Sequence, residues 1–188
     1  VKEAVLSEQL GISRAPIREA LQVLVQEGLI TSEPQKGKHV RQMTGKEIYD
    51  SYVVAGILEG AGVAESLPLW TEANMETFRS VVRQMEGKIS YATKLDELAE
   101  IDELFHATLF MACDNTRLVE MARTSCATIS KYLYYQHWIT MFTPREYADR
   151  HHAVAEAVYS RDVKHVETAL RDHYKETGLR MAQFGKEA

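Results

Sequence analysis

The chain has 188 residues, of which 45% are hydrophobic, enough for one domain or two small ones with packed cores. Its formal net charge of −5 argues against a protein that coats nucleic acid uniformly. No apolar run reaches the roughly eighteen residues of a membrane span, and the first residues do not resemble a signal peptide. Two cysteines without a CxxC pair exclude a disulfide framework and a zinc ribbon, which favours a cytoplasmic protein.

The charge is uneven along the chain. Residues 1–43 hold six Lys or Arg against five Glu, a net charge of +1, whereas the remainder holds sixteen against twenty-two, a net charge of −6. A sequence-specific DNA-binding module needs a basic face rather than a basic total. Turn-forming residues cluster near the end of the first part, and the rest reads as helical. We therefore predict two domains, residues 1–43 and residues 44–188.

The first part has the pattern of a winged helix-turn-helix. Residues 2–10 predict a short helix, and Gly11 permits a tight turn after it. Ser13 is a candidate cap for a second helix, which carries an apolar stripe formed by Ile17, Leu21 and Leu24. The stretches LITSEP and KHVRQ predict two short strands around QKGK, the wing.

Two arginines mark the candidate DNA-binding face. Arg14 and Arg18 are four residues apart, so they project from one face of the second helix, away from its apolar stripe. The N-terminus of this helix enters the major groove in such motifs, where arginine reads guanine edges or holds phosphates. The alternative is that both arginines are solvated surface charges. The wing tip adds three candidate contacts with the DNA backbone, namely Lys36, Gly37 and Lys38.

The second part predicts an all-helical bundle of six or seven helices. The approximate helical spans are 44–66, 71–88, 92–112, 116–138, 144–159 and 162–184. Residues able to cap a helix stand near most of their starts: Thr44, Thr71, Asn115, Thr143 and Asp162. The predicted fold class is mainly α, a winged helix-turn-helix followed by a helical bundle.

Spacing alone suggests a metal site in the bundle. Asp102 and His106 stand four residues apart on one helical face, which can offer two metal ligands. His151 and His173 flank a predicted turn near residue 161 at similar distances, so an antiparallel helix pair would bring them level. The alternatives are a surface hydrogen bond between Asp102 and His106, and an inward-facing His152 in place of His151.

The stretch LSEQLGISRAPIREALQVLVQEGLI, followed by KGKHV, resembles the winged-helix domain of GntR-superfamily transcription regulators. The SR-x-P-x-REAL-xx-L-xx-EGL pattern is highly specific. The resemblance covers residues 1–42 and lacks the first helix of the family, so we expect further residues upstream. It implies that Arg14 and Arg18 contact operator DNA, with Ser13 at the helix start and the Gly37 wing assisting.

Residues 47–180 resemble the helical ligand-binding domain of the FadR-type subfamily, the FCD domain, through IDELFHATLFMACDNTRL and RHHAVAEAVYSRDVKHVETALRDHY. This resemblance implies a divalent metal, Zn²⁺ or else Ni²⁺ or Mn²⁺, and selects His151 over His152. The implied ligands are Asp102, His106, His151 and His173. Two positions depart from the family: Ala55 stands where an arginine often helps to hold an acidic effector, and Asp114 stands where glycine is frequent.

The resemblance implies a dimeric regulator, usually a repressor, that senses a small carboxylate or sugar acid and binds a pseudo-palindromic operator. The alternative is a metal-dependent enzyme using the His₃Asp site, but the sequence has no HExxH or GxSxG element and we assign no catalytic residue. Cys113 is expected in the core rather than at the metal. Aromatic residues that could line a pocket, or else form core or dimer contacts, are Tyr132, Tyr134, Tyr135 and Trp138.

Overall fold

A computed structural model describes residues 1–187. Its N-terminal part consists of α1 (Glu3–Leu10), α2 (Arg14–Gln26), β1 (Ile30–Glu33) and β2 (Gly37–Val40). The strands form an antiparallel hairpin in which Ile30 pairs with Val40 and Glu33 pairs with Gly37. The predicted winged helix-turn-helix is confirmed.

A small apolar cluster holds this part together. Ile17 and Leu21 of α2 are buried against Ile30 of β1, as the apolar stripe of α2 predicts. Gly37 has a φ of +84°, which glycine adopts at little cost and which allows the chain to reverse into β2. Ser13 occupies the N-cap position of α2, but its side chain makes no capping hydrogen bond, so the predicted cap is wrong in this respect.

The remaining described residues form seven α-helices: α3 (Gly45–Ser66), α4 (Glu72–Ile89), α5 (Ala99–Leu109), α6 (Thr116–Ser125), α7 (Tyr135–Met141), α8 (Pro144–Ser160) and α9 (Val163–Ala182). This number agrees with the six or seven predicted. The five predicted capping side chains all accept backbone hydrogen bonds at helix starts.

Helix α3 runs along the centre of the bundle, packed against α6 and α9. Two glycines allow α3 and α9 to approach closely. A Cβ atom on Gly56 would lie 2.8 Å from the Cβ of Tyr174, and one on Gly178 would lie 2.8 Å from the Cβ of Tyr52. This close packing places one face of α3 beside the residues of α9.

By length and composition alone, the segment Gly45–Leu69 could cross a membrane. Its most apolar window has a mean hydropathy of 1.2. Half of its most apolar window is buried inside the fold, however, which is typical of a core helix. Helix α3 therefore serves as the central support of the bundle.

The predicted helix 116–138 is broken in the structure. Between α6 and α7 lies a π-helical turn, Thr128–Leu133, in which the Tyr134 amide donates to the Ile129 carbonyl. Ile129 is buried, and the Tyr134 hydroxyl hydrogen-bonds to the backbone of Met43. These long-range contacts outweigh the continuous helical pattern of the local sequence.

Candidate functional site

Three histidines from three helices meet inside the bundle. His106 lies on α5, His151 on α8 and His173 on α9, and one ring nitrogen of each lies within 4.8 Å of the others. His151 is buried and the other two are partly buried. The structure thus brings together histidines from distant parts of the sequence, and the spacing around residue 161 predicts the proximity of two of them, His151 and His173.

Asp102 lies beside this cluster. Its Oδ1 atom is 3.1 Å from His151 Nε2 and 3.9 Å from His106 Nε2. The carboxylate therefore faces the two Nε2 atoms and lies within hydrogen-bond distance of that of His151. His152 points elsewhere, with its Nε2 atom 3.2 Å from Glu86 on α4.

The other ring nitrogens of two histidines are already engaged. His106 Nδ1 lies 2.8 Å from Glu59 Oε1, and His151 Nδ1 lies 2.8 Å from the Tyr147 carbonyl oxygen. A hydrogen bond at Nδ1 orients the ring and leaves Nε2 to face the centre of the cluster. Glu59 is itself held by the hydroxyl of Tyr174.

Burial and charge give the histidines different pKa values. Burial lowers the pKa of His106, but the charge of Glu59 and the hydrogen bond to it outweigh burial and raise this pKa to about 9. Burial lowers the pKa of His151 and holds that of His173 well below its usual range. Without an added cation, one histidine is therefore protonated at neutral pH and two are neutral.

The carboxylate of the cluster stays ionised. Burial raises the pKa of Asp102, but the hydrogen bond from His151 and the nearby charge of His106 outweigh burial and lower it. An anionic oxygen beside two neutral imidazoles is a suitable donor set for a borderline divalent cation.

The cluster lies at the wall of a cavity of about 450 Å³. Helices α3, α5, α6, α8 and α9 and the segment from Cys126 to Trp138 surround the cavity. Apolar residues form part of the lining, among them Leu95, Ala99, Phe110 and Trp138. The volume is within the range of small-molecule sites.

The aromatic residues singled out in the sequence have separate roles. Tyr135 and Trp138 line the cavity, whereas the Tyr132 side chain is exposed. Tyr134 bonds to the backbone of Met43. Cys113 is half-buried and is not part of the cavity lining.

The candidate DNA-binding residues lie on the outside of the winged helix. Arg14, Arg18 and Ser13 are exposed, and the wing tip Gly37 is exposed between Lys36 and Lys38. Glu3 of α1 forms ion pairs with two of these cations, at 3.2 Å from Arg18 and 3.2 Å from Lys38. Lys36 pairs with Glu33.

Sequence reasoning missed three residues of the cavity: Glu59, Arg150 and Tyr174. Each is far in sequence from the residue that it contacts, since Glu59 is 47 positions from His106 and 115 from Tyr174. The only local signal is the spacing of Tyr52, Ala55 and Glu59, which places them on one face of α3.

Comparison with known proteins matches both parts of the chain. The GntR family of bacterial regulatory proteins matches residues 2–40, and the FCD domain matches residues 50–176. The chain belongs to the FCD-containing GntR regulators. The FCD match of this GntR regulator includes the three clustered histidines and every residue of the cavity lining except Thr177.

Named relatives of this GntR regulator are also transcription regulators. It is 28% identical over 153 residues to the Nta operon transcriptional regulator of Aminobacter aminovorans, covering 80% of this chain and 69% of that protein. It is 25% identical to the transcriptional repressor RspR of Escherichia coli K12, covering all of this chain and 81% of that protein. Its family and relatives therefore indicate a regulator and not an enzyme.

The solved structure named E. coli McbR/YncC has the same fold. It superimposes with a TM-score of 0.71 at 18% identity, covering 98% of this chain and 87% of that chain. The predicted combination of a winged helix and a helical domain is therefore confirmed for this GntR regulator.

Proposed function

We propose that this transcription regulator is a ligand-responsive repressor whose two parts have separate tasks. Residues 1–43 bind operator DNA, and residues 44–188 bind a divalent metal and a small carboxylate effector. The DNA contacts come from Ser13, Arg14, Arg18, Lys36, Gly37 and Lys38. The metal ligands are Asp102, His106, His151 and His173.

The observation that carries the metal site is the arrangement of the histidine rings. Two Nε2 atoms face the cluster because their Nδ1 atoms are occupied, and His173 Nδ1 is buried without a hydrogen-bond partner among the described residues. Nitrogens within 4.8 Å of one another need only small side-chain rotations to hold one ion about 2 Å from each. The residues therefore fit a divalent metal, with Zn²⁺ the first candidate and Ni²⁺ and Mn²⁺ the others.

Each residue of the site has a task that follows from its contacts. A bound metal would supply a Lewis-acidic centre to which the effector's carboxylate adds as a ligand. Glu59 accepts from His106 Nδ1 and so keeps the lone pair of Nε2 directed at the cluster. The neighbouring cavity gives an effector room beside the metal.

The link to DNA passes through a cytoplasmic homodimer in this proposal. Effector binding changes the relative placement of two winged helices, so that they fit the two half-sites of an operator or no longer fit them. Each recognition helix presents Arg14 and Arg18 to the major groove. The cationic side chains neutralise backbone phosphates and release the counterions condensed on the DNA, which makes binding salt-sensitive.

A zinc-binding and thermal-shift experiment tests the site. We expect zinc to raise the melting temperature of the wild-type chain, and a panel of small carboxylates and sugar acids to raise it further. His106→Ala should lose both effects, whereas His152→Ala, which removes a histidine whose Nε2 atom lies 3.2 Å from Glu86 and outside the cluster, should keep both. Equal zinc binding by wild type and His106→Ala would overturn the assignment of the metal ligands.

DNA binding is tested by the salt dependence of affinity for genomic DNA fragments. Arg18→Ala should bind more weakly at low salt and show a shallower dependence of affinity on salt concentration. Arg145→Ala, which changes an exposed arginine of α8, is the matched control. Unaltered affinity and salt dependence in Arg18→Ala would exclude this arginine from the interface.

A further inference from the structure

The cavity beside the histidine cluster is lined by three arginine and lysine side chains, Arg123, Lys131 and Arg150. Arg123 is exposed, and Lys131 is half exposed and paired with Glu103 at 3.0 Å. Arg150 is different, since only 12% of its side chain is exposed. Among the arginine and lysine side chains that line the cavity in the described part of the chain, Arg150 is thus the buried one.

Arg150 is held in one orientation by several contacts. Its Nε atom donates to Glu176 at 3.0 Å, and its Nη2 atom donates to the Thr177 hydroxyl and to the His173 carbonyl. The guanidinium also lies 4.0 Å from the centre of the Phe142 ring. The Nη1 group makes no hydrogen bond within residues 1–187, so a fixed guanidinium keeps one donor group available.

The charge of Arg150 is only partly balanced by the protein. Glu176 is 45% exposed, is not part of the cavity lining, and also accepts from Arg180 at 3.1 Å. One carboxylate is therefore shared by two guanidinium groups. Four carboxylates line the cavity, of which Glu100 and Glu103 are exposed and Glu103 is paired with Lys131. The two buried deeper, Glu59 and Asp102, would together match the charge of a divalent metal, which leaves Arg150 to attract a further anion.

A second polar group in the cavity wall lacks a partner. The hydroxyl of Tyr52 is buried and, apart from a weak contact with the Ser130 side chain, makes no hydrogen bond to any described residue. Tyr52 is 2% exposed and lies on the face of α3 that also carries Ala55 and Glu59. A buried hydroxyl without a partner is costly, so a ligand oxygen that meets it would be favoured.

We propose that Arg150 and Tyr52 select the effector: Arg150 Nη1 binds its carboxylate, and the Tyr52 hydroxyl binds a second oxygen. The ligand class is a small hydroxy or oxo carboxylic acid. In this proposal Arg150 on α8 takes the place of the arginine that the family often has on α3, where this chain has Ala55. This inference rests on the proposed effector site and specifies which residues distinguish an acid from its neutral analogue.

The test compares acids with uncharged analogues in zinc-saturated protein. Two acids are each paired with an uncharged analogue: L-lactate with lactamide, and D-gluconate with D-glucitol. L-malate and pyruvate are further acids, and calorimetry measures the affinity for each probe. We expect wild type to bind at least one of these acids. Its affinity for the neutral analogue of that acid should be at least tenfold lower. Arg150→Met should lose at least tenfold in affinity for the acid and most of this discrimination.

Matched variants separate binding from folding. Arg145→Met changes an exposed arginine on the same helix, outside the cavity, and should bind the acid as wild type does. Arg150→Lys keeps the charge without the rigid fork and should recover part of the affinity. Tyr52→Phe removes only the hydroxyl. It should weaken the binding of lactate more than the binding of acetate, which has no second functional group.

The outcomes distinguish this inference from the proposed function. If wild type binds an acid and both Arg150→Met and Arg150→Lys bind it equally well, Arg150 only joins α8 to α9 and the inference is wrong, while the effector site stands. If wild type binds none of the four acids, the carboxylate effector and this inference are both overturned. If Arg150→Met does not fold, the Arg150→Lys and Tyr52→Phe measurements decide.

Discussion

At the scale of single residues, Glu3 restrains two cations of the candidate DNA-binding face. Its carboxylate accepts hydrogen bonds from Arg18 and from Lys38, which connects α1 with both α2 and the wing. These hydrogen bonds lower the pKa of Glu3. The carboxylate is therefore ionised and paired at neutral pH, and the contacts are lost only as pH falls through this lowered pKa.

We expect Glu3→Gln to bind nonspecific duplex DNA more tightly than wild type, on the order of threefold at low salt. The substitution removes a negative charge that would face phosphates and releases Arg18 and Lys38. Fluorescence anisotropy at several salt concentrations measures the change. Glu8→Gln, on the exposed side of the same helix, is the control. Weaker binding by Glu3→Gln would mean that Glu3 holds the cations in the geometry that DNA requires.

The residues of the candidate metal site differ in how far sequence could predict them. Asp102 and His106 are one helical turn apart, so the local pattern places them together. His151 and His173 follow from the hairpin of α8 and α9, and the resemblance decided between His151 and His152. Glu59 and Arg150 could not be predicted, because their partners lie on other helices and depend on how those helices pack.

At the scale of elements, the close approach of α3 and α9 positions both walls of the site. Tyr52 and Glu59 lie on α3, whereas His173 and Tyr174 lie on α9. The predicted bounds of these helices are accurate because caps and apolar spacing mark them locally. The π-helical turn was missed, since it results from the burial of Ile129 and from contacts with Met43 rather than from a local signal.

We expect Gly178→Ala to destabilise the chain by about 1–3 kcal/mol through overpacking, which exceeds the helix-propensity gain of up to about 1 kcal/mol. The new Cβ would lie 2.8 Å from the Cβ of Tyr52. Gly87→Ala in α4 is the control, since no atom lies within 4 Å of its Cβ position and this variant should gain stability. Urea unfolding measures both, and a stable Gly178→Ala with unaltered zinc affinity would contradict the close packing.

At the scale of the whole molecule, one segment touches both the cavity and the connection to the winged helix. Ser130, Lys131 and Tyr135 line the cavity, and Tyr134 between them bonds to Met43. The Tyr134 hydroxyl accepts from the Met43 amide at 3.0 Å and donates to its carbonyl at 3.2 Å. Met43 stands three residues after β2, and the Lys186 amide also donates to its carbonyl.

We expect Tyr134→Phe to loosen this connection at a cost of about 1–3 kcal/mol, because the buried Met43 amide loses its partner. Hydrogen exchange should become faster at Met43 and its neighbours. Exchange in the core of α3 should become faster only as far as the loss of global stability accounts for it. Tyr132→Phe, which alters an exposed tyrosine of the same segment, should leave exchange at Met43 unchanged.

The same measurement tests whether the cavity and the connection are coupled. When a ligand fills the cavity, exchange at Met43 should change in wild type and change less in Tyr134→Phe, since the hydroxyl that joins Met43 to the cavity wall is missing. Zinc alone can serve as the first probe, and an acid that binds the zinc-loaded protein as the second. If wild type and Tyr134→Phe respond identically at Met43, the signal travels by another route, for which the contact of Lys186 with Met43 is the next candidate.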